Sequence, residues 1–445
     1  AELKLKPQAN SSLLESNFSD GGYVIGSINP TWWSPKLIQT TATDMDGDGY
    51  DDSNEDPPLN AAIPLHYSST KPYKEIPKIT IPADPSWEEI EATKTIDIEW
   101  SDVNGDGFLD MIVANTGVHG ASPEVIQLFL NNRGQFNEYP SWAMNSNIFS
   151  PVTPFDIELI DLDGDLDAEL VLAAEIDGQF VVSVYQNMED SYFSTAQQTL
   201  HLESPPVDIE WGDINDDGSL DLIVGFSDGV KIYFWEEDQP ISYWNMIEYP
   251  PQDTILVGKS YNIADMELGD LDRDGDLDIA LAIWGAPSMV LLNVNGSFSD
   301  VTIDYSVDKA SSVALGDING NGYLDVVLGT GGQYWCAPSC GAMNKLFFFD
   351  TDNRWYSESS WDPSWIDENN WGATDYTNDV NLGDIDRDGD LDLIVGNMGN
   401  DKVYLNQNGN IANKSVWTSS GSGDTTNADF ADINADGTLE LVTGA

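Results

Sequence analysis

Basic residues are scarce in this chain of 445 residues: 17 Lys and Arg stand against 77 Asp and Glu, a formal charge of −60. Such a chain repels nucleic acid and anionic lipid surfaces, which sets both aside as partners. Histidine is nearly missing, with only His66, His119 and His201. The two cysteines, Cys336 and Cys340, sit in the string CAPSC with no histidine nearby, so zinc is not expected there. Their spacing suits either a small disulfide loop, which fits an oxidising compartment, or two free thiols. No apolar run approaches the ~18 residues of a membrane span, so no transmembrane segment is expected. The motifs G-x-S-x-G, HExxH and the phosphate loop are missing too.

What is present argues for a folded chain. Apolar residues make up 41% and there are 15 Trp, too many for a disordered polyanion. No signal peptide is visible; the polar start AELKLK suits a mature form already cleaved. Sequons at Asn10, Asn17, Asn295 and Asn413 give weak support for a secreted glycoprotein.

The acid is not spread evenly. A nine-residue pattern recurs eight times: Asp, any, Asp/Asn, any, Asp/Asn, usually Gly, and Asp or Glu at position nine. The first copy places Asp44, Asp46, Asp48 and Asp52; the second Asp102, Asn104, Asp106 and Asp110. The third has Asp161, Asp163, Asp165 and Glu169, and the fourth Asp213, Asn215, Asp217 and Asp221. Then come Asp270, Asp272, Asp274 and Asp278, followed by Asp317, Asn319, Asn321 and Asp325. The last two copies carry Asp384, Asp386, Asp388 and Asp392, and Asp432, Asn434, Asp436 and Glu440. Oxygen donors at alternate positions converge as a loop curls, and Gly at position six permits the turn. Calcium takes six to eight such oxygens, whereas magnesium holds to a stricter octahedron and keeps its waters, so up to eight Ca²⁺ are expected. Acidic turns without metal are the plain alternative, since Asp, Asn and Gly favour turns anyway. Eight divalent ions would offset only a minor part of the −60, so most of the excess is solvated surface.

The flanks repeat as well. Before the loops stand IDIEWSD, VDIEWGD and ADMELGD; after them stand LDMIVAN, LDLIVGF and LDVVLGT. The first set alternates like a strand and the second reads as a strand buried on both faces. Another strand often follows and ends in Asn, as in VIQLFLNN, MVLLNVNG and KVYLNQNG. Trp100 and Trp211, at equivalent places before two loops, are expected in the core. Loop starts are spaced by 58, 59, 52, 57, 47, 67 and 48 residues. Four-stranded units at this period predict an all-β propeller, one blade per copy and one domain over 1–445. The residues before Asp44 and those from Asp432 onward together make one further period. That predicts eight blades, with residues 1–43 supplying the outer strands of a blade whose inner strands come from the C-terminus. The alternative is seven blades plus an N-terminal extension. Its source is the first loop, where Asp51 replaces the apolar residue of position eight and SNEDPPLN replaces the buried run. The third copy has Leu166 in place of Gly, and the sixth has only two acids and should bind calcium most weakly.

These residues carry a resemblance. The loop, then LDLIVG, then VYLNQNG resembles the FG-GAP/VCBS repeat of integrin α-chain heads and many microbial surface proteins. Gly285-Ala286-Pro287 matches the second half of the family name, while the Phe-Gly half is missing from most copies. The resemblance implies a propeller with structural calcium in each blade loop; it implies no particular partner.

For function, the leading expectation is an extracellular or cell-surface adhesion module that binds a glycan or protein. The insertion 331–379 holds Trp335, Trp355, Trp361, Trp365 and Trp371 as candidate ligand-binding residues, with packing between blades as the plainer role for any one of them. A structural subunit that self-assembles into a surface layer or filament is a second expectation. A carbohydrate-active enzyme such as a polysaccharide lyase is a third and less favoured one, because Lys, Arg and His are few and the net charge repels an anionic polymer.

Overall fold

The computed structural model describes residues 94–444 apart from 117–123, 146–151, 163–166, 189–191, 235–247, 250–261, 305–308, 332–343, 350–375, 420–422 and positions 295 and 413. Its regular structure is all strand, arranged as consecutive antiparallel sheets. The first blade is β1 (Lys94–Ser101), β2 (Asp110–Thr116), β3 (Glu124–Phe129) and β4 (Trp142–Asn145). The second is β5 (Val152–Ile160), β6 (Glu169–Ile176), β7 (Gln179–Tyr185) and β8 (Ala196–Leu202). The third is β9 (Pro206–Gly212), β10 (Asp221–Phe226), β11 (Gly229–Tyr233) and β12 (Glu248–Tyr249). The fourth is β13 (Ile263–Gly269), β14 (Asp278–Ile283), β15 (Ser288–Val294) and β16 (Ser297–Asp304). The fifth shows three strands, β17 (Ala310–Gly316), β18 (Asp325–Thr330) and β19 (Lys345–Phe347). The sixth is β20 (Thr377–Gly383), β21 (Asp392–Gly399), β22 (Lys402–Tyr404) and β23 (Trp417–Thr418), with β24 (Gly423–Asp424) also on β21. Last comes a two-stranded sheet of β25 (Asn427–Ala431) and β26 (Glu440–Gly444).

Among the described residues, each acidic loop joins the first strand of its sheet to the second. The second strands β10, β14 and β18 are buried along their whole length, because neighbouring sheets cover both faces. There is accordingly no single core. Apolar clusters lie between successive sheets, from Ile112 and Ile126 against Ile157 and Leu170 onward. Phe430 and Leu439 pack on Ile394 of the sixth blade, and Ala431 and Val442 pack on Ile98 and Trp100 of the first. Trp100 is buried, while Trp211 is half-buried against the layer between the second and third blades.

The glycine before the loop belongs to this packing. A Cβ on Gly269 would lie 2.6 Å from Leu324 Cδ1 and 3.0 Å from Leu315 Cδ1 of the next blade. Gly212, Gly316 and Gly383 face the next sheet in the same way. Leu324 occupies loop position eight, so its apolar character comes from docking on the preceding blade. Gly269→Ala is expected to cost about 1–3 kcal/mol by overpacking, read as a shift in urea midpoint. A wild-type midpoint would contradict this close approach.

The first strands line the axis, and most carry a bulge just before their third-to-last inward residue. The register slips between Thr95 and Asp97, Pro154 and Asp156, Ile263 and Asp265, Ala310 and Ser312, and Thr377 and Asp379. A bulge re-aims side chains, and here it turns one residue per strand toward the next blade. Asp156 Oδ2 accepts the Ile209 amide at 2.8 Å, Asp208 Oδ2 that of Met266 at 2.7 Å, and Asp265 Oδ2 that of Val313 at 2.7 Å. Ser312 Oγ accepts from Val380 N–H and Asp379 Oδ2 from Ala428 N–H. The series then returns to its start: Asn427 Nδ2 donates to Asp97 Oδ1 at 3.0 Å, and Asp97 Oδ2 accepts from Ile157.

This closure corrects the blade count. The described residues form six blades and one two-stranded sheet, not eight blades. Between that sheet and the first blade no slot remains: Thr426 Oγ1 donates to Thr95 O at 2.6 Å, and Asn131 Nδ2 to Ile433 O at 2.6 Å. Seven full blades plus an extension does not match as stated either, since the seventh sheet has two strands. The first loop, Asp44 to Asp52, and the outer strands expected in 1–43 lie outside the described residues.

The axial acids also set a pH dependence. Burial, followed by the charge of Asp265, pushes Asp379 up to about 8, and burial pushes Asp429 up to about 7. The folded protein thus holds protons that the unfolded chain loses near pH 4. Their contribution to stability is fully present below about pH 4 and is lost as pH rises through 7 to 8. In chelator, the melting temperature is expected to be higher at pH 5 than at pH 8.5. The opposite order would contradict the burial of these acids.

Candidate metal centres

Each described loop is wound by its own carboxylates. Asp102 Oδ1 accepts the Asp106 amide at 2.9 Å, and Asp102 Oδ2 accepts that of Gly107 at 2.8 Å. Asn104 Oδ1 also accepts from Asp106 N–H, and Asp106 Oδ1 accepts from Phe108 N–H. The same set recurs around Asp213, Asp384 and Asp432. These bonds curl the chain so that positions one, three and five point inward. Gly at position six takes φ between 78° and 97° in these loops, a region costly for other residues. Position four is left-handed as well, although Asp216, Arg273, Arg387 and Ala435 occupy it.

The arrangement fits a hard divalent cation. Ligand oxygens of Asp270, Asp272 and Asp274 lie within 4.8 Å of one another, as do those of Asp384, Asp386 and Asp388. Asp270 Oδ1 and Asp110 Oδ2 are buried oxygens with no hydrogen-bond partner. Burial pushes Asp270 up to about 6, and burial, followed by the charge of Asp388, pushes Asp386 to about 6. A cation between these oxygens would supply the missing partner and the opposite charge.

Position nine has a second task. Asp278 is fully buried, and its Oδ2 accepts from Leu271 N–H at 2.8 Å while Oδ1 accepts from Asn293 N–H at 2.7 Å. Asp325 and Asp392 make the same pair of bonds. The Asn that ends the third strand extends the latch across blades. Asn293 Nδ2 donates to Leu277 O in its own blade and Ile214 O in the preceding one; Asn406 Nδ2 reaches Ile318 O in the same way.

The loops are not equivalent. In the sixth copy, Asn319 Nδ2 donates to Asp325 Oδ2 at 3.1 Å and Asn321 Nδ2 to Phe349 O at 2.9 Å. Amide hydrogens thus occupy part of the space that a cation would need. In the third copy only Asp161 and Glu169 are described; Asp163 and Asp165 lie outside the described residues. Trp335, Trp355, Trp361, Trp365, Trp371, Cys336 and Cys340 lie outside them too. At position four, the residues ignored by the acidic pattern join adjacent loops. Arg387 Nη2 donates to Asp436 O at 2.8 Å, and the Arg273 guanidinium lies 4.9 Å from the Tyr323 ring centre. Two of eight copies have Arg there, which was the available sequence signal.

Among the described residues no helix is long and apolar enough to cross a membrane. No curated protein matches the chain. Among solved structures, BBS1N in complex with ARL6DN is 16% identical, covering 79% of this chain and 88% of that one at a TM-score of 0.48. A lectin from Agrocybe aegerita specific for non-reducing terminal N-acetylglucosamine is 16% identical, covering 80% and 86% at 0.45. The rhamnogalacturonan lyase PL11 of Bacillus licheniformis is 15% identical, covering 79% and 69% at 0.37. The FG-GAP-like repeat matches residues 102–172, 161–224, 213–281, 270–328 and 384–443. With more than half its length matched and its strands arranged as a β-propeller, the chain belongs to the FG-GAP-like repeat family.

Proposed function

We propose that the chain is an extracellular binding module: a calcium-stabilised propeller that presents the 331–379 insertion to a glycan or protein partner. One observation carries this reading. Strands β18 and β19 keep the register Val326↔Phe347 and Leu328↔Lys345, although the connection between them runs from Gly331 to Asn344. The corresponding turn in the second blade is Asp177–Gly178. The long connection is gathered at its base, where Thr330 N–H donates to Asn344 Oδ1 at 3.0 Å. Lys345 Nζ anchors β19 to the fourth blade through Asp304 Oδ2 at 2.7 Å. An elaboration held by a rigid frame is where recognition residues are commonly carried; Trp335 falls within this connection, and Trp355, Trp361, Trp365 and Trp371 fall in the next one, between β19 and β20.

A printed glycan array and a panel of matrix proteins, each probed with and without calcium, test the reading. Calcium-dependent binding is expected, and Trp355→Ala with Trp361→Ala should weaken it at least ~10-fold without lowering the melting temperature. Binding that survives the double variant unchanged would remove the insertion from the site.

A further inference from the structure

The seventh sheet stops at two strands among the described residues. Its second strand, β26, is only half-buried along most of its length and Thr443 is exposed, whereas β10, β14 and β18 are buried throughout. Two latches are open beside it. In blades one, four and six, one oxygen of the position-nine acid accepts the amide of the Asn after the third strand: Asp110 from Asn131, Asp278 from Asn293 and Asp392 from Asn406. Glu440 Oε1 instead accepts from Asn434 Nδ2 of its own loop. The same Asn side chains hold Ile433 O, Ile214 O and Ile318 O of the preceding blade. Among the described residues no Asn donates to the matching carbonyl of the sixth blade, Ile385 O.

The blades state what should fill this edge. The residue after position nine pairs with the residue two places before the latch: Met111 with Phe129, Leu170 with Tyr185, Ile279 with Leu291 and Leu393 with Tyr404. These partners are bulky because they pack on the preceding blade, as Tyr404 does on Val327 and Leu346. In blades one, two and six the fourth strand starts 9 to 11 positions beyond the latch, at Trp142, Ala196 and Trp417. It then leads shortly into the next first strand, as Leu202 leads into Pro206. Ahead of β1 the chain reads IPLHYSS over 63–69 and KITI over 78–81. Tyr67 stands two places before Ser69, and 9 to 11 positions beyond Ser69 fall within KITI. The string YVIGSIN over 23–29 ends in Asn, yet it puts Ser27 at the bulky position and lies far ahead of β1.

We propose that the open edge of β26 is the docking site for residues 63–81 of the same chain. Residues 63–67 pair with β26 in the register Leu441↔Tyr67 and Thr443↔Leu65, and residues 78–81 form the outer strand. Tyr67 enters the layer that holds Ile394 and Phe430, and Ser69 takes the latch position facing Ile385 O. An unpaired strand edge is a template for another strand, and a segment of the same chain meets it at high effective concentration. Residues 63–81, rather than the 1–43 expected from spacing, thus finish the seventh sheet, and the Asp44 loop joins no first strand to a second. The assignment is independent of what the insertion binds.

Leu65→Cys with Thr443→Cys in the full chain tests the register, because directly opposed residues lie about 4.5–5.5 Å apart at Cα, within disulfide reach. Val395→Cys with Lys402→Cys, the equivalent pair of the sixth blade, is the control. Under mild oxidation, peptide mass spectrometry should find position 65 joined to 443 within single chains, to the same extent as the control pair. A bond in the control alone would overturn the proposal. So would a 65–443 bond joining two chains, which makes the occupant a second copy. Bonding by Ile25→Cys with Thr443→Cys, without the 65–443 bond, would overturn it in favour of the string ending at Asn29. Should the variants not fold, hydrogen exchange on wild type decides. Residues 63–67 and 440–444 should exchange as slowly as 402–404 and 392–396; exchange at least ~10-fold faster at either would overturn the proposal.

Discussion

Stripping calcium with EDTA is expected to lower the melting temperature by roughly 10–20 °C. Among the loops whose ligand positions are all described, five, those starting at Asp102, Asp213, Asp270, Asp384 and Asp432, carry oxygen donors at positions one, three and five and acids at one and five. Extracellular calcium modules bind at about 10⁻⁴–10⁻³ M. At ten times Kd one such site adds about 1.4 kcal/mol, and five add about 7 kcal/mol. Whole domains are stable by only about 5–15 kcal/mol. Without the ion, Asp270, Asp272 and Asp274 keep their oxygens within 4.8 Å and repel one another. Because each loop leads directly into a buried second strand, loosening it loosens the blade. Scanning calorimetry with EDTA, and with magnesium restored in place of calcium, reads the effect. A melting temperature indifferent to chelator would remove the structural role of calcium.

Asp278→Ala is expected to cost about 3–5 kcal/mol even when calcium is present. Both oxygens of this fully buried carboxylate accept backbone amides, those of Leu271 and Asn293. Truncation leaves two buried donors unsatisfied, at about 1–3 kcal/mol each, and removes one acid from the loop. The damage also crosses blades, because Asn293 holds Ile214 O of the preceding one. Asp278→Asn keeps the shape and one carbonyl acceptor, so it should cost about half as much. Urea unfolding in excess calcium separates the two variants. If Asp278→Ala falls within about 1 kcal/mol of wild type, position nine is a metal ligand only and not a latch.

The strand-loop-strand unit was legible because three signals coincide within about 20 residues: alternation before the loop, alternate oxygens within it, and an unbroken apolar run after it. The number of blades was not legible from spacing. Asp44 to Asp52 counted as a blade marker by spacing, although SNEDPPLN after it replaces the apolar run of a second strand and pointed to fewer blades. Blade number is fixed by closure, and the closing contacts of Asn427 with Asp97 and Asn131 with Ile433 span most of the chain. The axial residues were in view in the strings IDIEW, VDIEW and ADMEL, where they read only as the polar phase of a strand. A bulge turns that phase onto the axis, and no local pattern marks a bulge. The glycine before the loop was likewise visible in WGD and LGD, yet its reason lies in leucines of the next repeat.

The central claim is that the loops are calcium sites on which the propeller depends. Calcium titration of chelator-stripped protein, with ions counted by native mass spectrometry and melting followed in parallel, tests it most directly. The account predicts at least five ions per chain, one for each of the five loops beginning at Asp102, Asp213, Asp270, Asp384 and Asp432, with melting temperature rising as they bind. One ion or none at saturating calcium, or several ions bound with no gain in melting temperature, would contradict it.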